Sequence, residues 1–217
     1  MYRYKNKYFL TSNFRADASG QFTPEHRWGY FPSFSTGWKL SEEKFLKPLF
    51  GDNDVKIRFG WGQVGNDRAR PYAWYGLVDT LQQYVFGGAP RTAYINTTLE
   101  NRDLHWESTS QYDIGVDFSM LHKRINITAD YYNKKTSDLL IEVPIPGSVG
   151  IPGNIALQNA GSIRNKGFEF QISSNIINKK DFNLEKGMRI AVREGGEWKK
   201  GGDNIVFKET VEFSQYF

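Results

Sequence analysis

The chain has 217 residues, with hydrophobic content of 39% below the usual globular range and an aromatic content raised to 16%. Its 28 Lys and Arg against 24 Asp and Glu give a net charge of +4 and a pI near 9.1 without any basic block, so nothing selects nucleic acid as a partner. The lack of cysteine excludes a disulfide scaffold, a thiolate metal site and a cysteine nucleophile, and a mean hydropathy of −0.57 without a long apolar run excludes a helical membrane span.

The opening residues Met1–Lys7 have no apolar core of the kind a signal peptide needs. From Tyr8 onward the dominant pattern is alternation with a period of two residues, which predicts strands. Tyr8–Ala16 sets Tyr8, Leu10, Ser12 and Phe14 against Phe9, Thr11, Asn13 and Arg15. Trp28–Leu40 sets aromatic and apolar residues from Trp28 to Trp38 against Gly29, Ser33, Ser35 and Gly37, an order broken only by Phe31. Val55–Gln63 follows, with Val55, Ile57, Phe59 and Trp61 opposite Lys56, Arg58, Gly60 and Gly62. Tyr112–Met120, Ile125–Tyr132, Gly167–Asn175 and the weaker Phe182–Val192 repeat the scheme.

The links between these strands alternate in length. Asp17–Arg27, Asn66–Ser110 and Lys134–Ser162 read as loops, the last two long; Leu121–Arg124 and Asn178–Asp181 read as tight turns. Ser41–Asp54 predicts one short helix with Ser41 as its N-cap. Long loops at one end and short turns at the other fit an outer-membrane barrel, and a loop as long as Asn66–Ser110 is unusual in a compact soluble domain. Apolar faces with aromatics near their ends, opposite polar and glycine-rich faces, suit lipid outside and water inside. A soluble sandwich with one wet face per sheet shows the same alternation, so periodicity leaves both readings open.

Longer motifs separate them. Arg15–Phe22, Arg27–Ser33, Gly37–Glu43, Ile57–Asn66, Leu104–Thr109, Asp113–Asp117, Ala129–Thr136 and Asn159–Glu169, in this order, resemble the barrel of SusC/RagA-type TonB-dependent outer-membrane transporters. The resemblance implies an all-β, antiparallel transmembrane barrel segment of about seven or eight strands from a barrel of about 22. It implies an importer of glycans or peptides in the outer membrane, energised by a TonB complex and lidded by a SusD-like surface lipoprotein. Residues 1–192 are expected to be a middle-to-late stretch of that barrel, without the signal peptide, the plug that meets TonB, or the early strands. Residues 193–217 form a divergent tail with room for one further strand. The chain alone is expected neither to close a barrel nor to transport.

No catalytic constellation is visible, so neither an enzymatic activity nor a cofactor is expected. His26, His105 and His122 lack metal-ligand spacing, and no phosphate-binding glycine loop is present. Asp113, Asp117 and Asp130 read as solvated lumen carboxylates paired with bases such as Lys56 and Arg58. Tyr72, Trp74, Tyr75, Tyr84 and Phe86 in the longest loop are candidate contacts for substrate or for a protein lid, because flat rings offer large contact area at small entropic cost. Packing of these rings within the loop layer is the competing reading. The alternative function is a soluble or surface β-rich carbohydrate-binding module.

Overall fold

The computed structural model describes residues 1–179, 182–200, 203–206 and 210–216. They contain fourteen strands: β1 (Tyr2–Tyr4), β2 (Tyr8–Ala18), β3 (Trp28–Lys39), β4 (Asp54–Asn66), β5 (Val78–Phe86), β6 (Ala89–Asn96), β7 (Glu107–Met120), β8 (Ile125–Ser137), β9 (Leu140–Pro144), β10 (Ile155–Asn159), β11 (Ser162–Lys179), β12 (Phe182–Lys200), β13 (Asp203–Val206) and β14 (Thr210–Tyr216). Ten of these form one antiparallel sheet in the order β1-β2-β3-β4-β7-β8-β11-β12, with β13 and β14 both on the outer side of β12. The seven long strands β2, β3, β4, β7, β8, β11 and β12 contain the seven sequence-predicted segments except for Leu40, which opens the 3₁₀ turn after β3. Among the described residues the sheet does not close, so it is an open stretch of barrel wall.

Pairing register carries the alternation of each strand across the sheet. One row runs Leu10, Thr36, Phe59, Ile114, Tyr131, Phe168 and Val192. Its neighbour on the opposite face runs Phe9, Gly37, Arg58, Gly115, Asp130, Glu169 and Ala191. The first face leaves large apolar side chains uncovered: Phe14 is 68% exposed, Tyr30 60% and Phe168 64%. Such rows are what a wall facing hydrocarbon requires, and a water-facing sheet of this size would be an aggregation surface. Two hollows, of about 550 and 270 Å³, both open on the polar face.

Connections follow the expected polarity, with three corrections. The Ser41–Asp54 link holds a 3₁₀ turn at Leu40–Glu42 and a four-residue helix at Lys47–Phe50, and Ser41 caps neither of them. Its hydroxyl instead turns inward to the Asp54 carboxylate at 3.4 Å. The loop Asn66–Ser110 contains the β5–β6 hairpin, and Lys134–Ser162 contains the β9–β10 hairpin. Strands β7, β8 and β11 also run further toward this end than their alternation shows, to Glu107, Ser137 and Ser162. Leu121–Arg124 is a tight turn in which Leu121, His122 and Lys123 all have positive φ. The expected turn Asn178–Asp181 includes residues 180 and 181, which lie outside the described residues, as does Phe217. Strand β12 runs through Val192 to Lys200.

Candidate functional site

The polar face is organised in belts. At mid-height Arg58 reaches over β7: its Nε and Nη2 donate to Asp117 at 2.7 and 3.0 Å, and Nη2 also donates to Asp130 at 2.9 Å. This crossing is sterically allowed because the residue between them is Gly115; a Cβ there would overlap Asp130 Oδ1 and meet Arg58 Nη2 at 2.7 Å. The same device recurs at Gly60, over which the Asp113 carboxylate lies at 2.8 Å from a notional Cβ. Two of the three lumen carboxylates are therefore paired with Arg58, as the sequence suggested, whereas Lys56 lies over the Phe9 ring at 5.4 Å. One guanidinium between two carboxylates in an otherwise wet wall fixes the spacing of β4, β7 and β8, and offers no free acid–base pair for chemistry.

At the short-turn end, Glu43 folds back under the sheet and is nine-tenths buried. Its carboxylate accepts from Tyr8 Oη at 2.6 Å, Lys7 Nζ at 3.1 Å and Trp38 Nε1 at 3.3 Å. The Tyr8 hydroxyl first, then the Lys7 ammonium, hold its pKa below the ordinary 4.5. Asp54 joins the same end together, pairing with Lys39 at 3.5 Å and with Lys123 of the β7–β8 turn at 3.4 Å.

At the long-loop end the loops share a small core. Phe22 and Leu104 are wholly buried, and Phe31 is 6% exposed. The Trp106 ring meets Phe22 edge-on at 5.7 Å and Phe31 at 5.4 Å, while its Nε1 donates to the Arg27 carbonyl. Phe31 stays on the polar face and roots the loops there, which explains its break in the strand pattern; Gly29 and Gly65 provide the space beneath its ring. Asn159 ties two loops through His105 N–H at 3.0 Å, the His105 carbonyl at 2.8 Å and the Asp138 carbonyl at 2.9 Å. Sequence reasoning passed over Asn159 and Trp106 as site-building residues, since a single Asn or Trp in a long motif carries no periodic signal.

The five candidate aromatics fall into two groups. Tyr72, Trp74 and Tyr75 cluster, with the Trp74 and Tyr75 centroids 3.8 Å apart. Tyr84 and Phe86 stand 6.4 Å apart near the tip of the β5–β6 hairpin, and both are exposed. Among the described residues no ring contact joins the two groups. The described residues hold no group of three or more side chains with metal-ligating geometry.

Known proteins share both this wall and its sequence. The family model described as TonB dependent receptor-like, beta-barrel matches residues 1–206. The chain belongs to that family, and its sheet is a segment of an antiparallel transmembrane β-barrel. TonB-dependent receptor SusC of Bacteroides thetaiotaomicron is 38% identical over 197 residues, covering 87% of this chain and 19% of the relative. TonB-dependent receptor P26 of Formosa agariphila is 33% identical over 205 residues, covering 94% of this chain and 20% of the relative. Among solved structures, the RagAB peptide transporter superposes with a TM-score of 0.76 at 25% identity, covering 91% of this chain and 21% of that one. The RagAB peptide importer in its open-open state gives 0.75, also at 25% identity. The chain spans about a fifth of the length of these relatives.

Proposed function

We propose that this segment is wall and extracellular loop layer of an outer-membrane importer of glycans or peptides, driven through TonB and covered by a SusD-like surface lipoprotein. The observation that carries the reading is the two-faced sheet, with exposed apolar rows on one side and an ordered polar belt with hollows on the other. In this arrangement the apolar rows meet outer-membrane lipid and the polar belt lines the lumen. The Tyr84 and Phe86 hairpin and the Tyr72–Trp74–Tyr75 cluster then project outward, where they meet substrate or the lipoprotein lid. A soluble carbohydrate-binding module has no use for apolar rows across seven long strands, and water would penalise them.

The test is topological and uses the full-length protein that carries this segment. Because the segment has no cysteine, single replacements in it add one thiol each. Ser148→Cys, in the exposed tip between β9 and β10, is expected to react with an impermeant maleimide on intact cells. His122→Cys, in the β7–β8 turn, is expected to react only after permeabilisation. Equal labelling of both on intact cells contradicts the orientation.

A further inference from the structure

The polar face carries two belts of different character. The Arg58–Asp117–Asp130 belt satisfies itself, whereas the belt above it does not. The hollow of about 550 Å³ has Gly60 and Gly62 in its floor, Asn13, Ser33 and Ser35 on the β2–β3 side, and Gln111, Asp113 and Lys134 on the β7–β8 side. In contrast to Arg58, the side chains of Asn13, Gln111, Asp113 and Lys134 have no hydrogen-bond or ion-pair partner among the described residues. Gln111 and Lys134 are register partners on β7 and β8, and Asp113 stands two residues along the same face. The trough therefore presents carboxamides, hydroxyls, one carboxylate, one ammonium and the Arg15 guanidinium, itself paired with Asp17, around a glycine floor.

We infer that this trough binds an extended peptide segment of the cargo, with the Asn13 and Gln111 carboxamides pairing with its main-chain amides and Asp113 and Lys134 receiving its charged groups. Two features favour a peptide over a sugar. Carboxamides with separated opposite charges match a zwitterionic polyamide. The trough also lacks an open ring on which a pyranose would stack: Phe31 lines it but is 6% exposed with the Arg15 guanidinium 5.5 Å over its ring, and by strand alternation the rings of Phe34 and Trp61 project to the apolar face. The inference rests on the lumen reading above and narrows its substrate class.

The experiment uses the full-length protein purified in detergent, probed with a tryptic digest of casein and, separately, with maltohexaose and cellohexaose. Bound peptides are released by acid and counted by mass spectrometry. Parent protein is expected to retain peptides and neither oligosaccharide. Lys134→Ala and the isosteric Asp113→Asn are each expected to lower retention roughly tenfold, as loss of one charge-assisted hydrogen bond does. Leu49→Ser, exposed in the short-turn link away from the trough and the outer loops, serves as the control and is expected to leave retention unchanged. Heat-modifiable gel mobility confirms that each variant is a folded barrel, and the cysteine labelling above tests the lumen reading separately. Retention of oligosaccharides instead of peptides overturns the inference. So does equal peptide retention by parent and trough variants, the result expected if another part of the same protein occupies the trough.

Discussion

Gly115 and Asp130 face each other in register on β7 and β8, and the Asp130 carboxylate occupies the place where a Gly115 side chain would begin. The absence of one Cβ thereby lets Arg58, on the strand beyond, bond a carboxylate two strands away. Gly115→Ala is expected to expel one partner and destabilise the full barrel by about 1–3 kcal/mol, the range for overpacking a tight site. Gly20→Ala, where a Cβ meets nothing within 4 Å, is expected to be near neutral. Urea unfolding of both variants in lipid vesicles, followed by Trp fluorescence, measures the difference. Equal costs contradict the role assigned to Gly115.

The Glu43 latch predicts a pH dependence at the short-turn end. Its folded pKa lies below the ordinary 4.5, so the unfolded carboxylate takes up its proton first as pH falls. The stabilisation is complete above about 4.5 and is lost as pH drops through the lower, folded value. Parent protein is expected to expose the Lys47–Phe50 link to pepsin as pH falls through this window, and Glu43→Gln to expose it more at neutral pH with a flatter profile when probed with a protease active there. Identical profiles for the two proteins contradict the latch.

The two faces of the sheet predict opposite tolerance to charge. Ile114→Arg, in the middle of an exposed apolar row, is expected to cost about 2–4 kcal/mol in membrane folding, whereas Ser35→Arg, on the neighbouring polar row, is expected to cost about 1 kcal/mol or less. Refolding yields into vesicles across a urea series compare them. Asp117 is a poor site for the polar-face control, since its bidentate contact with Arg58 would be replaced by two facing guanidinium groups.

Asn159→Ala is expected to loosen the loop layer without unfolding the barrel, because it leaves the His105 N–H and carbonyl and the Asp138 carbonyl without their amide partner. Protease added to intact cells should cleave the loops faster, with heat-modifiable mobility of the uncleaved protein retained. Unchanged cleavage contradicts the role of Asn159 as a clasp.

These effects show which parts of the molecule were readable from sequence. Alternation located the strands wherever one face meets lipid and the other meets water, as from Tyr112 to Met120. It missed Glu107–Gln111, Asn133–Ser137 and Ser162–Lys166, which apart from Ile163 are polar on both faces. Those ends continue their strands on the long-loop side, where by this account both faces meet water and the period-two contrast has no physical cause. The pairing of Asp117 and Asp130 with Arg58 followed from residue types on a shared face, but its geometry depended on register, which one strand cannot show. Ser41 had the composition of an N-cap, yet burial beside Asp54 outweighed local propensity in a link too short for a real helix. Phe31 looked like an error in the pattern and is instead the root of the loop core.

The central claim is that the sheet separates lipid from a water-filled lumen, and a nitroxide scan along β7 tests it most directly. Single cysteines at positions 111, 112, 113, 114 and 116 in the full-length protein, which leave Gly115 and Asp117 in place, are spin-labelled, reconstituted in vesicles, and report collision with oxygen in lipid and with a nickel chelate in water. The account predicts strict alternation, with positions 112, 114 and 116 relaxed by oxygen and positions 111 and 113 relaxed by the nickel chelate. Nickel accessibility at every position, without a period of two, would contradict it.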